Sequence, residues 1–109
     1  MSVQRFASVI KVAPGREQEY RDLHAQVWPD VLAALQRAHV SNYSIFLRDR
    51  YLFSYLEYEG ENFAADMEAV AGDAATQRWW KLTEQCQQPL ATAAEGEWWA
   101  PAEELFHLD

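Results

Sequence analysis

Tyr20 and His24 lie four residues apart, a spacing that puts both side chains on one face of a helix and lets them point into one cavity. An imidazole gives and takes protons near neutral pH, its ordinary pKa being ~6.5, and a positioned one is worth roughly 10²–10⁴-fold in a proton-transfer step. A phenol ordinarily titrates near ~10 and is a poor base, so Tyr20 is better suited to holding a hydroxyl than to removing its proton. On spacing alone, a helix histidine that packs or meets solvent is the commoner case, and His24 stands only as a candidate acid. His39 lies close to the expected end of a helix, where the helix dipole explains it better than a substrate does. No pattern surrounds His107.

The aromatic residues widen the candidate site. Five tryptophans occur among 109 residues, four of them as the pairs Trp79-Trp80 and Trp98-Trp99. Adjacent helix positions point about ~100° apart, so one of Trp79 and Trp80 can enter the core while the other lines a pocket. An indole face suits the C–H groups of a sugar, and its N–H can bond a hydroxyl. For either tryptophan alone, core filling is the commoner explanation. Tyr43, in an apolar strand-like stretch, is a third candidate for orienting a polyol, or else a buried structural tyrosine.

The elements that must position these residues follow from pattern. Gln4 to Val12 places apolar side chains on both parities, as in a strand covered on both faces. Pro14-Gly15 breaks it, and Tyr20, Leu23, His24 and Val27 then recur at helical spacing in the stretch beginning at Arg16. Pro29 biases Trp28 away from helix yet suits a first turn, so the helical stretch bends there before Val31, Leu32 and Leu35 resume the stripe. Ser41 to Leu47 and Tyr51 to Tyr58 read as strands joined by a tight hairpin at Arg48-Asp49-Arg50. After Gly60, Phe63, Met67 and Val70 mark a helix closed by Gly72, and Asp73 is an N-cap for another running to about Gln87. Gln88 to Pro101 reads as a loop, and Glu103 to Leu108 as a final strand. The order β-α-β-β-α-β predicts one α+β domain over residues 1–109, ferredoxin-like, with a four-stranded antiparallel sheet. Helices on one face leave the other bare, yet both parities of the hairpin are apolar. A second copy is the cheapest cover, so a homodimer is expected, two sheets facing each other.

Composition narrows the function classes. The formal net charge of −8 would repel a phosphate backbone, so nucleic acid is not expected as a partner, whereas a neutral substrate is unaffected. Cys86, the lone cysteine, fits neither a disulfide framework nor a cysteine zinc site and reads as a buried, inert thiol. Met1 to Ile10 lack the features of a secretory signal, and no stretch is long and apolar enough to span a membrane, which gives the expectation of a soluble cytoplasmic protein. On that reading the sequon Asn42-Tyr43-Ser44 is a chance match. Gly-rich phosphate loops, the His-Glu-x-x-His metal motif and the Gly-x-Ser-x-Gly elbow are all missing from the sequence.

Taken together, His24-Ala-Gln-Val-Trp28-Pro29-Asp30, Asn42-Tyr43-Ser44-Ile45-Phe46-Leu47, Arg78-Trp79-Trp80-Lys81 and Glu103-Glu104-Leu105-Phe106-His107-Leu108 resemble, in order and spacing, the L-rhamnose mutarotase family. The resemblance covers nearly the whole chain. It implies a dimeric ferredoxin-like fold working without cofactor or metal, with His24 as proton donor and Tyr20, Tyr43, Trp79 and Trp80 holding a neutral monosaccharide. The implied reaction interconverts the α and β anomers of L-rhamnose or a related 6-deoxy-hexose such as L-fucose. Trp98-Trp99 falls outside the resemblance, and the hairpin at Arg48 to Arg50 is short for it. Two other functions suit an aromatic pocket on this fold: a cofactor-free monooxygenase of small aromatics, and a non-catalytic module that binds a small molecule.

Overall fold

The computed structural model describes residues 2–109. The chain runs β1 (Gln4–Val12), α1 (Glu17–Ala25), α2 (Pro29–Arg37), β2 (Val40–Arg48), β3 (Tyr51–Tyr58), α3 (Phe63–Ala71), α4 (Ala74–Glu84), β4 (Gln87–Gln88) and β5 (Ala100–Ala102). The sheet order is β2-β3-β1-β4, all neighbours antiparallel. β5 also pairs with β1, against Ala7 to Val9, while β4 pairs with Lys11 and Val12. Because β3 holds the other edge of β1, β4 and β5 are two pieces of one outer strand, and the segment between them loops away. The α+β, ferredoxin-like arrangement expected from the sequence is therefore present, with its fourth strand split.

Local chemistry accounts for the punctuation. Trp28 takes an extended conformation (ψ 134°) with Pro29 in the first turn of α2, so the helical stretch bends where expected. Arg48 pairs with Tyr51, leaving Asp49 and Arg50 as a two-residue turn with φ of 52° and 67°. That left-handed pair matches the twist of the flanking strands. Arg50 is tied down by donating from Nε and Nη2 to the Val12 carbonyl, 3.3 Å each. Asn62 and Asp73 cap α3 and α4, accepting from the backbone N–H of Ala65 (3.1 Å) and Thr76 (2.9 Å).

Strand parity divides the sheet. Ile10, Val12, Leu52, Ser54 and Tyr58 turn toward the helices and are buried; Ile10, Val12 and Leu52 pack with Tyr20 and Cys86 in one cluster. On the opposite parity Phe46 is 62 % exposed, and Tyr51 and Phe53 are also exposed. Cys86 is fully buried, and burial pushes its thiol up to about 11, matching the inert role expected for it.

Two sequence expectations need correction. Glu103 to Leu108 do not form the final strand; that role falls to Ala100–Ala102. The register explains why. Ala102 already lies opposite Ala7, so only Gln4 to Phe6 of β1 remain for whatever follows, and the side chains of Arg5 and Glu104 meet there in a 2.7 Å ion pair instead. The apolar tail beyond outruns its partner. Likewise α4 ends at Glu84 rather than near Gln87, because Gln87 and Gln88 are claimed by the edge of β1, so the stretch expected as loop begins and ends in strand.

Candidate active site

α1 carries Tyr20 and His24 on one face, as their spacing requires. Their rings stack with centroids 4.2 Å apart. His24 Nδ1 lies 2.9 Å from the Tyr20 carbonyl oxygen. A carbonyl can only accept, so Nδ1 carries the proton and Nε2 is the nitrogen left for other work. Among the described residues Nε2 has no protein partner, and no side-chain polar atom is both buried and unpaired, so Nε2 is reached from the open side of the ring.

α4 supplies the wall opposite. Trp79 is 5 % exposed and meets His24 edge-on at 5.5 Å and Trp28 at 5.2 Å. Trp80, the next residue round the helix, is more exposed. Of the pair, Trp79 is the buried member, as the ~100° step between neighbours allows, yet both border the same cleft.

Tyr43 reaches the cleft through a break in the ladder. Ser41 pairs with Glu57 and Ser44 with Tyr55, so Asn42 and Tyr43 together oppose Leu56. Asn42 takes the first position of this two-against-one bulge in the left-handed region at φ 48°, its amide donating to Glu57 at 2.7 Å. The bulge sets Tyr43 on the same parity as Ile45 and Leu47, which face the helices. Tyr43 is 42 % exposed overall, and partial desolvation raises its pKa.

The cleft has two lobes, of about 510 and about 340 Å³, which share Tyr20, His24, Tyr43, Ile45 and Trp79. Val31, Leu35, Leu47 and Leu52 make the larger lobe apolar. Trp80, Thr83, Glu84, Gln87, Trp98 and Trp99 complete the smaller one. All five residues picked out by sequence thus border one concavity, with the imidazole at the junction of the lobes. His39 and His107 do not line it.

Burial pushes Tyr20 up to about 12, only partly offset by a hydrogen bond from Gln87. At neutral pH it is an intact hydroxyl, able to donate or accept but not a base. The arrangement can therefore hold a small neutral polyol against aromatic faces and pass it a proton from one nitrogen. Among the described residues no group of three or more His, Cys, Asp or Glu side chains is placed to hold a metal ion.

Sequence reasoning missed Gln87 and left Trp98 and Trp99 without a role. Gln87 is buried in β4, a two-residue strand with no periodicity to announce it. The tryptophan pair was a signal of composition only; nothing in the linear pattern says that a late loop folds back onto α1.

Comparison with known proteins bears on this geometry. Residues 5–108 match the family model described as L-rhamnose mutarotase. An L-rhamnose mutarotase of Listeria monocytogenes is 36 % identical over 72 % of this chain and 75 % of its own. One of Oceanobacillus iheyensis is 30 % identical over 98 % of this chain and all of its own length. The crystal structure of an L-rhamnose mutarotase from Formosa agariphila, 24 % identical, superposes with a TM-score of 0.75 over 97 % of this chain and 99 % of that one, a likeness of fold.

Proposed function

The chain belongs to the L-rhamnose mutarotase family, and we propose that it interconverts the α and β anomers of L-rhamnose or a closely related 6-deoxy-hexose, with His24 as the proton donor. The observation that carries this reading is the state of that imidazole: Nδ1 committed to the Tyr20 carbonyl, Nε2 free, and the ring set where both lobes of an aromatic cleft meet.

Mutarotation needs a proton on the ring oxygen and one taken from the anomeric hydroxyl. Protonated His24 gives its Nε2 proton to the ring oxygen while solvent water takes the proton of the anomeric O–H; the bond from C1 to the ring oxygen breaks as the C1=O double bond forms, leaving an open-chain aldehyde. Rotation about C1–C2 and the reverse transfers give the other anomer, with no net change in protons or electrons. No redox step or covalent intermediate is needed, and the reading includes no cofactor. Tyr20 and Tyr43 orient hydroxyls, and Trp79 and Trp80 offer apolar faces to the sugar's C–H groups. The apolar lobe beside His24 suits the methyl group that a 6-deoxy sugar has in place of a hydroxymethyl.

The reading extends to assembly and location. A homodimer is supported by the exposed Phe46, Tyr51 and Phe53 on the bare sheet face, and by Leu105, Phe106 and Leu108 in the tail, each 80 % exposed or more. No helix among the described residues is long and apolar enough to cross a membrane. A cytoplasmic setting, which keeps thiols reduced, agrees with the single unpaired cysteine, and the net charge of −8 argues against nucleic acid as a partner.

A panel of reducing sugars tests the reading by saturation-transfer NMR between anomeric protons. L-rhamnose, with L-fucose as its rival, should exchange faster with catalytic amounts of protein. Uptake of oxygen with a quinol-like substrate, or tight sugar binding with no gain in exchange, would instead select one of the alternative functions.

A further inference from the structure

The smaller lobe contains a chain of hydrogen bonds that the mechanism above does not use. Trp98 Nε1 donates to Gln87 Oε1 at 2.7 Å, and Gln87 Nε2 donates to the Tyr20 hydroxyl oxygen at 3.3 Å. An indole N–H can only donate, so the Gln87 oxygen must face Trp98 and its amino group must face Tyr20. The orientation of this amide, often ambiguous, is here fixed by chemistry.

We propose that Gln87, held by Trp98, is a positioning residue that aims the Tyr20 hydroxyl proton at the substrate. A phenol O–H prefers the plane of its ring, which offers two directions. The Gln87 N–H occupies one side of the oxygen, so the phenol proton takes the other. Because burial keeps Tyr20 neutral, that proton is present throughout the neutral range. Tyr20 borders both lobes and stacks on His24, so a phenol with a set direction presents one donor beside the acid, suited to a sugar oxygen that gains negative charge as the ring opens.

The placement explains features otherwise idle. Gln87 is only 8 % exposed, a costly site for an amide unless both of its ends are satisfied, and both are. Trp99 packs on the core cluster that contains Tyr20, which pins the loop between β4 and β5 and brings Trp98 back over Gln87. The tryptophan pair thus divides its work: Trp99 anchors the loop, and Trp98 orients the amide.

The inference rests on the mutarotase reading, and the test separates the two. L-rhamnose anomer exchange is measured for the wild type, Gln87→Glu, Trp98→Phe, Tyr20→Phe and both double variants, with circular dichroism as a check of folding. Gln87→Glu still accepts from Trp98 but offers Tyr20 a carboxylate oxygen, drawing the phenol proton into the wall. kcat should fall about tenfold, the equivalent of one hydrogen bond lost from the transition state, while KM moves little. Trp98→Phe frees the amide to flip and should cost about threefold by the same scale. In the Tyr20→Phe background both losses should vanish, since no hydroxyl remains to aim. Losses of the same factor with and without that hydroxyl, in an active enzyme, overturn the proposal alone. A wild type that does not speed exchange overturns the mutarotase reading and this inference with it. Should Gln87→Glu fail to fold, Trp98→Phe, which changes an exposed loop residue, carries the same test.

Discussion

The two faces of the β2–β3 hairpin are both rich in apolar side chains but differ in what they meet. On one parity Tyr43, Ile45, Leu47 and Leu52 turn toward the helices and line the cleft. On the other, Phe46 lies opposite Phe53 and both are open to solvent. Alternation decides which residues share a face, but it does not decide what each face meets. On the first face the chain supplies α1 and α4, which bring an imidazole, a phenol and an indole together. On the second, no helix among the described residues packs over Phe46 and Phe53, and the proposed cover is another copy.

The contrast can be broken experimentally. The largest effect is expected on the helix-covered face: His24→Ala should slow anomer exchange roughly 10²–10⁴-fold while circular dichroism and sugar affinity stay near wild type. Next, Trp79→Ala should cost about 3–5 kcal/mol of stability in a denaturant melt, because it empties a buried indole site. Trp80→Ala should weaken sugar binding while leaving the melt close to wild type, so of the two tryptophans that face the sugar only Trp79 also holds the fold. On the bare face, Phe46→Glu with Phe53→Glu should shift sedimentation at micromolar concentration from dimer to monomer with secondary structure kept; a wild type that is already monomeric would remove the basis for a second copy there.

The smallest effect concerns the positioning of α4. Asp73 is held below the usual carboxylate range by the Thr76 backbone N–H first, then by the Thr76 hydroxyl. Its folded pKa is depressed, so its contribution is fully present above the unfolded value and disappears as pH falls through the lower folded one. Asp73→Ala should lower Tm by a few degrees at pH 7. The gap between variant and wild type should narrow below about pH 4, where an unfolded aspartate protonates.

What could be read in the linear sequence follows the range of the physics involved. Tyr20 and His24 were legible because helical spacing is local, and so were the Asp73 cap, the bend at Trp28 and the tight turn at Arg48 to Arg50. Tyr43 was legible as a candidate, but its route into the cleft, a bulge opened by a left-handed Asn42, shows only in the pairing. Glu103 to Leu108 misled because apolar content marks a segment that wants cover, and a strand needs a free edge as well; β1 has only three residues left beyond Ala7 to offer. Gln87 was invisible for a related reason. Its partners Tyr20 and Trp98 lie 67 and 11 residues away, and no periodicity links them.

The central claim concerns one imidazole and is tested most directly by ¹⁵N NMR of the His24 ring during a titration with L-rhamnose. The structure predicts that Nδ1 stays protonated and nearly unchanged, tied to the Tyr20 carbonyl, while the Nε2 resonance moves in proportion to sugar bound. A sugar-saturated protein in which Nε2 does not respond, or in which Nδ1 loses its proton instead, would contradict the account.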